Sequence, residues 1–257
     1  MRRGTGTERS WSFGLTSARG LALACKTAGM AVLGVDACRG GWAGILLHDD
    51  GTVTGLLDAS LAGLASAAQT EAELVAIGVD MPIGLPDRGR RLADVLARAV
   101  LGPRRASVFL TPVREALLLD DYAGASRRNR ELAGESMSRQ VYALRPRLLE
   151  ADAWARTSPV PVVEVHPEVS FTTLAGGHLT TAKKTWAGAT VRRRLLGEAG
   201  IRIPDDLGRL GDVAAVDDVL DAAAAAWSAR RYAEGIARRY PDPPQVFSDG
   251  YRATIYA

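Results

Sequence analysis

Apolar residues recur in short runs from position 31 onward, each closed by a polar or glycine-bearing break. Val32–Asp36, Trp42–Leu47 and Val53–Leu57 have strand length and are separated by Arg39-Gly40-Gly41 and Asp49-Asp50-Gly51. Breaks of that kind predict tight reversals, and therefore three antiparallel strands. Ser60 follows as the cap of an alanine- and leucine-rich helix running to about Gln69, since its hydroxyl can accept from a free N–H of the first turn. Leu74–Asp80 has no polar residue before its final Asp80, the pattern of a strand covered on both faces. A right-handed crossover would lay it parallel to one of the earlier strands.

The pattern changes between about residues 87 and 158. Arg90–Val100 predicts a helix broken by Gly102-Pro103, and Arg127–Leu149 predicts a second arginine-rich helix that Pro146 kinks or ends. Val162–His166 returns to strand, and Pro167 opens a short helix. Lys183–Ala199 predicts a longer helix ending at Gly200, and Val216 to about Ala237 an alanine-rich one. Gln245–Phe247 and Ala253–Tyr256 are candidates for short terminal strands. The fold class expected is α/β: a mixed five-stranded sheet flanked by helices, with a helical arginine-rich insertion at about 87–158. Residues 1–29 are polar and glycine-rich without a clean period. They read as a disordered extension or a start placed upstream of Met30, leaving 30–257 as a single domain.

Charge narrows the picture. The net charge is +3, but residues 1–29 alone sum to +4, so the remainder is close to neutral. Bulk charge therefore gives no argument for a phosphate-binding surface. Locally, residues 87–147 hold thirteen arginines against seven acids. Cys25 and Cys38 offer neither a disulfide framework nor zinc-ligand spacing, which suits a reducing cytoplasm. No apolar run reaches the ~18 residues of a membrane span, so no membrane partner is expected.

Two strand-like runs end in aspartate just before the backbone must turn, at Asp36 and at Asp80. A single aspartate there is commonly a turn residue. Two at equivalent places point to a site, because sheets of this class bind ligands at the carboxyl ends of their strands. Asp217, Asp218 and Asp221 lie three and four residues apart, near one face of the alanine-rich helix. Negative charge in a first helical turn explains Asp217 and Asp218 well and Asp221 less well. Asp36, Asp80, Asp218 and Asp221 together supply the hard oxygen ligands that Mg2+ or Mn2+ requires, and a pair of such ions can drive phosphodiester cleavage.

Val35-Asp36-Ala37 with Gly41-Trp42, Ile77-Gly78-Val79-Asp80-Met81-Pro82-Ile83-Gly84-Leu85, Ser107-Val108-Phe109, Glu164-Val165-His166-Pro167-Glu168 and Asp218-Val219-Leu220-Asp221-Ala222 occur in that order. This set resembles the DUF429 family, described as predicted nucleases with an RNase H-like fold. The resemblance implies an acidic site like that of RuvC-type resolvases, with Asp36, Asp80, Asp218 and Asp221 as metal ligands and catalytic residues. It departs from that pattern at Asp80, where those enzymes commonly carry Glu, and at Asp217, where the family often shows His.

Glu164 and His166 would share one face of a strand. Glu164 reads either as an extra catalytic carboxylate or as the partner of a buried pair, and His166 as a proton carrier near the substrate. Glu168 reads better as a helix-terminal acid. Arg98 and Arg105 flank Ser107-Val108-Phe109 and, with Lys184, are candidates for contacting phosphate. The function expected is a metal-dependent nuclease acting on DNA or RNA by a two-metal carboxylate mechanism. The alternatives are a nucleotide-binding phosphotransferase of the actin or sugar-kinase type and a catalytically silent binding protein of the same fold.

Overall fold

A computed structural model describes Met1 and residues 29–257; the expectation for 1–29 otherwise lies outside the described residues. The chain opens with β1 (Met30–Cys38), β2 (Gly41–His48), β3 (Val53–Asp58), α1 (Leu61–Glu71) and β4 (Glu73–Val79). The insertion contributes α2 (Leu92–Leu101), a 3-10 turn at Gly102–Ser107, α3 (Arg114–Leu117), α4 (Tyr122–Ala133), α5 (Arg139–Ala143) and α6 (Arg145–Ala155). Then follow β5 (Val162–Val165), α7 (Pro167–Leu174), α8 (Trp186–Glu198), α9 (Arg209–Val213), α10 (Val216–Ala233), β6 (Arg239–Val246) and β7 (Arg252–Tyr256).

The strands form one mixed α/β sheet in the order β3-β2-β1-β4-β5-β7-β6. β1, β2 and β3 are mutually antiparallel, β4 lies parallel to β1, β5 to β4 and β7 to β5, and β6 closes the sheet antiparallel. The sheet has seven strands where five were expected. The additional pair is the β6-β7 hairpin, which takes in the two candidate terminal strands; its edge strand carries Pro241, Pro243 and Pro244, and proline cannot donate to a ladder and is tolerated at an edge.

The sheet has two apolar faces. One packs Leu33, Val35, Ile77 and Val79 against α1 and α6. The other packs Val32, Ile45 and Ala76 against α10, with Leu196 of α8 and Phe171 of α7 behind it.

The arginine-rich helix expected over 127–149 is instead parts of three. Gly134, at φ 80°, closes α4 in the left-handed region, and Pro146 lies in the first turn of α6 rather than ending a helix. Six of the insertion's thirteen arginines are neutralised within the fold. Arg90, Arg91, Arg114, Arg128, Arg145 and Arg147 all pair with carboxylates. Several of these pairs grip the turn after β4: Glu164 accepts from the Ile83 N–H and Asp152 from the Gly84 N–H, each at 2.8 Å, while Arg91 donates to the Ile83 carbonyl at 2.9 Å.

Candidate metal centre

The segment Gly-Val-Asp occurs twice, at 34–36 and 78–80, and the fold places the two copies side by side. Gly34 pairs with Gly78 and Val35 with Val79 in the parallel β1-β4 ladder, and the Asp80 N–H donates to the Val35 carbonyl at 2.8 Å. Alternation sends Val35 and Val79 into the core beneath α1 and leaves glycine and aspartate facing α10. A Cβ on Gly34 would lie 2.0 Å from the Ala226 nitrogen and 2.1 Å from the Ala222 oxygen; one on Gly78 would lie 2.5 Å from the Ala225 oxygen. The helix backbone itself rests on these glycines, which is why α10 runs through Ala222–Ala226 with no larger side chain. Asp221, one residue before that alanine run, is thereby carried to the strand ends.

Asp36, Asp80 and Asp221 each offer a carboxylate oxygen, and these atoms lie within 4.8 Å of one another. Asp36 is 8% exposed and Asp221 1%, while Asp80 is half-buried. Burial raises the Asp36 carboxyl well above the usual range, and the neighbouring Asp80 and Asp221 charges add to the effect. Burial likewise pushes Asp80 up to about 7 against the pull of the Lys183 ammonium. Asp221 is also pushed to about 7 by burial, with Lys183 again opposing and Asp80 assisting. Like charges this close, out of water, cannot all ionise without a counter-charge.

Lys183 supplies part of that charge. Its Nζ donates to Asp221 Oδ2 at 2.5 Å, and these acids hold it firmly protonated. Asp221 Oδ1 is buried and has no hydrogen-bond partner among the described residues. An orphaned carboxylate oxygen in a cluster of hard oxygen donors fits a divalent cation of the Mg2+ or Mn2+ class.

The remaining expected residues are placed differently. Asp218 is half-buried in the first turn of α10 and accepts from the Ala215 N–H at 3.3 Å. It adds negative field at Asp36 without being one of the three converging groups. Glu164 is a correction: it does not join the aspartates. It pairs in register with Val79, so it shares the face of Val79 and not that of Asp80. There Arg91 holds both its oxygens in a bidentate pair. Glu164 and His166 do not act together, because His166 lies past the strand end as the residue preceding α7. Burial lowers the His166 pKa and favours the neutral ring, while Asp221 opposes that shift. Its Nδ1 is buried without a partner among the described residues. Glu168 is buried against Arg192 at 2.5 Å, a structural pair.

Arg98 is half-buried on α2 and Arg105 exposed on the 3-10 turn, and neither forms an ion pair among the described residues. That turn is tied to the segment between α7 and α8: Arg104 donates to the Leu179 carbonyl at 2.6 Å. Lys184 is 79% exposed and 3.7 Å from Asp217. The lysine that enters the centre is its neighbour Lys183. The helix expected from 183 begins only at Trp186, capped by the Thr185 hydroxyl, which frees both lysines from helical geometry. The signals that marked the centre more sharply were the two glycines preceding the strand-end aspartates by two residues.

A family model described as a protein of unknown function, DUF429, matches residues 34–246. No curated protein and no solved structure matches the chain.

Proposed function

The chain belongs to the DUF429 family, and from the centre described above we propose that it is a divalent-metal-dependent phosphodiester hydrolase acting on nucleic acid, built on an RNase H-like core. The observation that carries this reading is the meeting of Asp36, Asp80 and Asp221, from three separate elements, with one buried Asp221 oxygen left without a partner among the described residues. In it, β1 to β5 with α1 form the RNase H-like core, and the β6-β7 hairpin extends the sheet.

Asp36, Asp80 and Asp221 would hold Mg2+ or Mn2+. Such a cation, when bound, lowers the pKa of a coordinated water and stabilises the charge on a leaving oxygen. The chain's own groups do the rest. Lys183 neutralises Asp221 and puts a fixed positive charge at the rim. His166, whose buried Nδ1 has no partner among the described residues, is the group able to carry a proton beside the reacting phosphate. Arg98 and Arg105 are cations without an ion pair among the described residues, placed to meet a phosphate backbone. Among the described residues no helix is long and apolar enough to cross a membrane. The half-buried Cys38 forms no disulfide among the described residues, and this reading places the activity in the cytoplasm.

A second reading, a silent binding protein in which Lys183 alone neutralises the acids, is favoured by the same Lys183–Asp221 contact. One experiment separates the two: cleavage of branched DNA, single-stranded DNA, RNA and hybrids with Mg2+ or Mn2+, comparing wild type with Asp36→Asn. Hydrolysis by the wild type that needs metal and vanishes in Asp36→Asn is expected. Equal cleavage by both proteins would defeat the nuclease reading, and no cleavage by either, with no metal bound, would favour the silent one.

A further inference from the structure

Lys183 reaches the centre from the loop between α7 and α8, just ahead of the Thr185 cap. Its Nζ is 2.5 Å from Asp221 Oδ2 and 3.9 Å from Asp217 Oδ2, so the ammonium fills the space between the inner carboxylates and the first turn of α10. The two oxygens of Asp221 are thereby divided. Oδ2 is bonded to the ammonium, and Oδ1 is buried without a partner among the described residues.

Counting charge gives the same division. Three inner carboxylates and one ammonium leave two negative charges, the charge of one divalent ion. A second divalent ion would need ligands on the side of Asp217 and Asp218, where Lys183 and Lys184 already lie. It would also face the Lys183 charge across a shared carboxylate, in surroundings that screen it poorly. An ammonium on a flexible stem is a compact point charge suited to standing in for such an ion.

We infer that the centre takes one divalent cation and that Lys183 occupies the place of a second, so the chain carries its second positive charge covalently. This revises the two-metal expectation and rests on the reading of the three aspartates as a cation site. Lys183 is a positioning residue: it neutralises Asp221 Oδ2 and reserves Oδ1 for the ion.

The test is a Mn2+ titration of the full chain at pH 8, followed by electron paramagnetic resonance, with thermal melts confirming that each variant is folded. Wild type and Lys183→Arg bind one Mn2+ per chain. Lys183→Ala and Lys183→Gln bind two, the second giving a spectrum broadened by spin coupling. Two ions on the wild type, or one ion on both neutral variants, would overturn the inference while leaving the cation site standing. No Mn2+ on the wild type would instead remove the site reading beneath it.

Discussion

Replacing Gly34 by alanine is expected to destabilise the protein by at least about 3 kcal/mol and to abolish Mn2+ binding in whatever fraction remains folded. Overpacking a well-filled core usually costs about 1–3 kcal/mol, because neighbouring side chains can adjust. Here the new methyl would lie 2.0 Å and 2.1 Å from backbone atoms of Ala226 and Ala222, and no rotamer change relieves a clash with a helix backbone. The whole of α10 must move off the sheet, taking Asp221 away from Asp36. Gly197→Ala is the control. It lies exposed near the end of α8, its Cβ would meet nothing within 4 Å, and it should be stabilising by up to about 1 kcal/mol through helix propensity. Chemical denaturation of both variants checks the pair. Equal, small effects would show that the helix does not rest on the strand glycines.

Glu164→Gln is expected to lower stability by about 3 kcal/mol, toward the low end for breaking a buried ion pair. Arg91 is fully buried, and the change strips the charge from its principal partner. The residual interaction with Asp94, at 3.1 Å, keeps the loss from being larger. The amide oxygen introduced by the substitution would still accept from the Ile83 N–H, so the turn after β4 keeps its anchor. Mn2+ stoichiometry should therefore be unchanged at low temperature. The reverse outcome, intact stability with lost metal binding, would make Glu164 a ligand after all.

These two positions also show what was readable in the chain. Aspartate closing two apolar runs, and aspartates three and four apart on an alanine-rich helix, are local patterns; of the four ligands they marked, Asp36, Asp80 and Asp221 converge and Asp218 does not. The partner of Glu164 was not local. Arg91 lies 73 residues away, and only the β4-β5 register decides that Glu164 turns from the aspartates. Lys183 and Lys184 are indistinguishable by composition. Which of them enters the centre depends on where Thr185 starts α8. The insertion's basic charge was visible as a sum, but its pairing with Glu115, Asp120, Glu135, Glu150 and Asp152 is a product of the tertiary fold. Three prolines hid all of β6 but its end at Gln245 and Val246, since a strand that can be an edge need not look like one.

The centre's raised carboxyl pKa values give its most direct measurement. Near neutral pH the metal-free centre retains protons on acids pushed to about 7, as at Asp80 and Asp221, and a cation must expel them to bind. Calorimetric titration of Mn2+ in two buffers of different ionisation heat should show proton release at pH 7. The affinity should rise between pH 6 and 8, fall toward pH 5, and drop at least about tenfold in Asp36→Asn, Asp80→Asn and Asp221→Asn. Absence of Mn2+ binding by the wild type, or equal binding by all three variants, would contradict a cation site built by these aspartates.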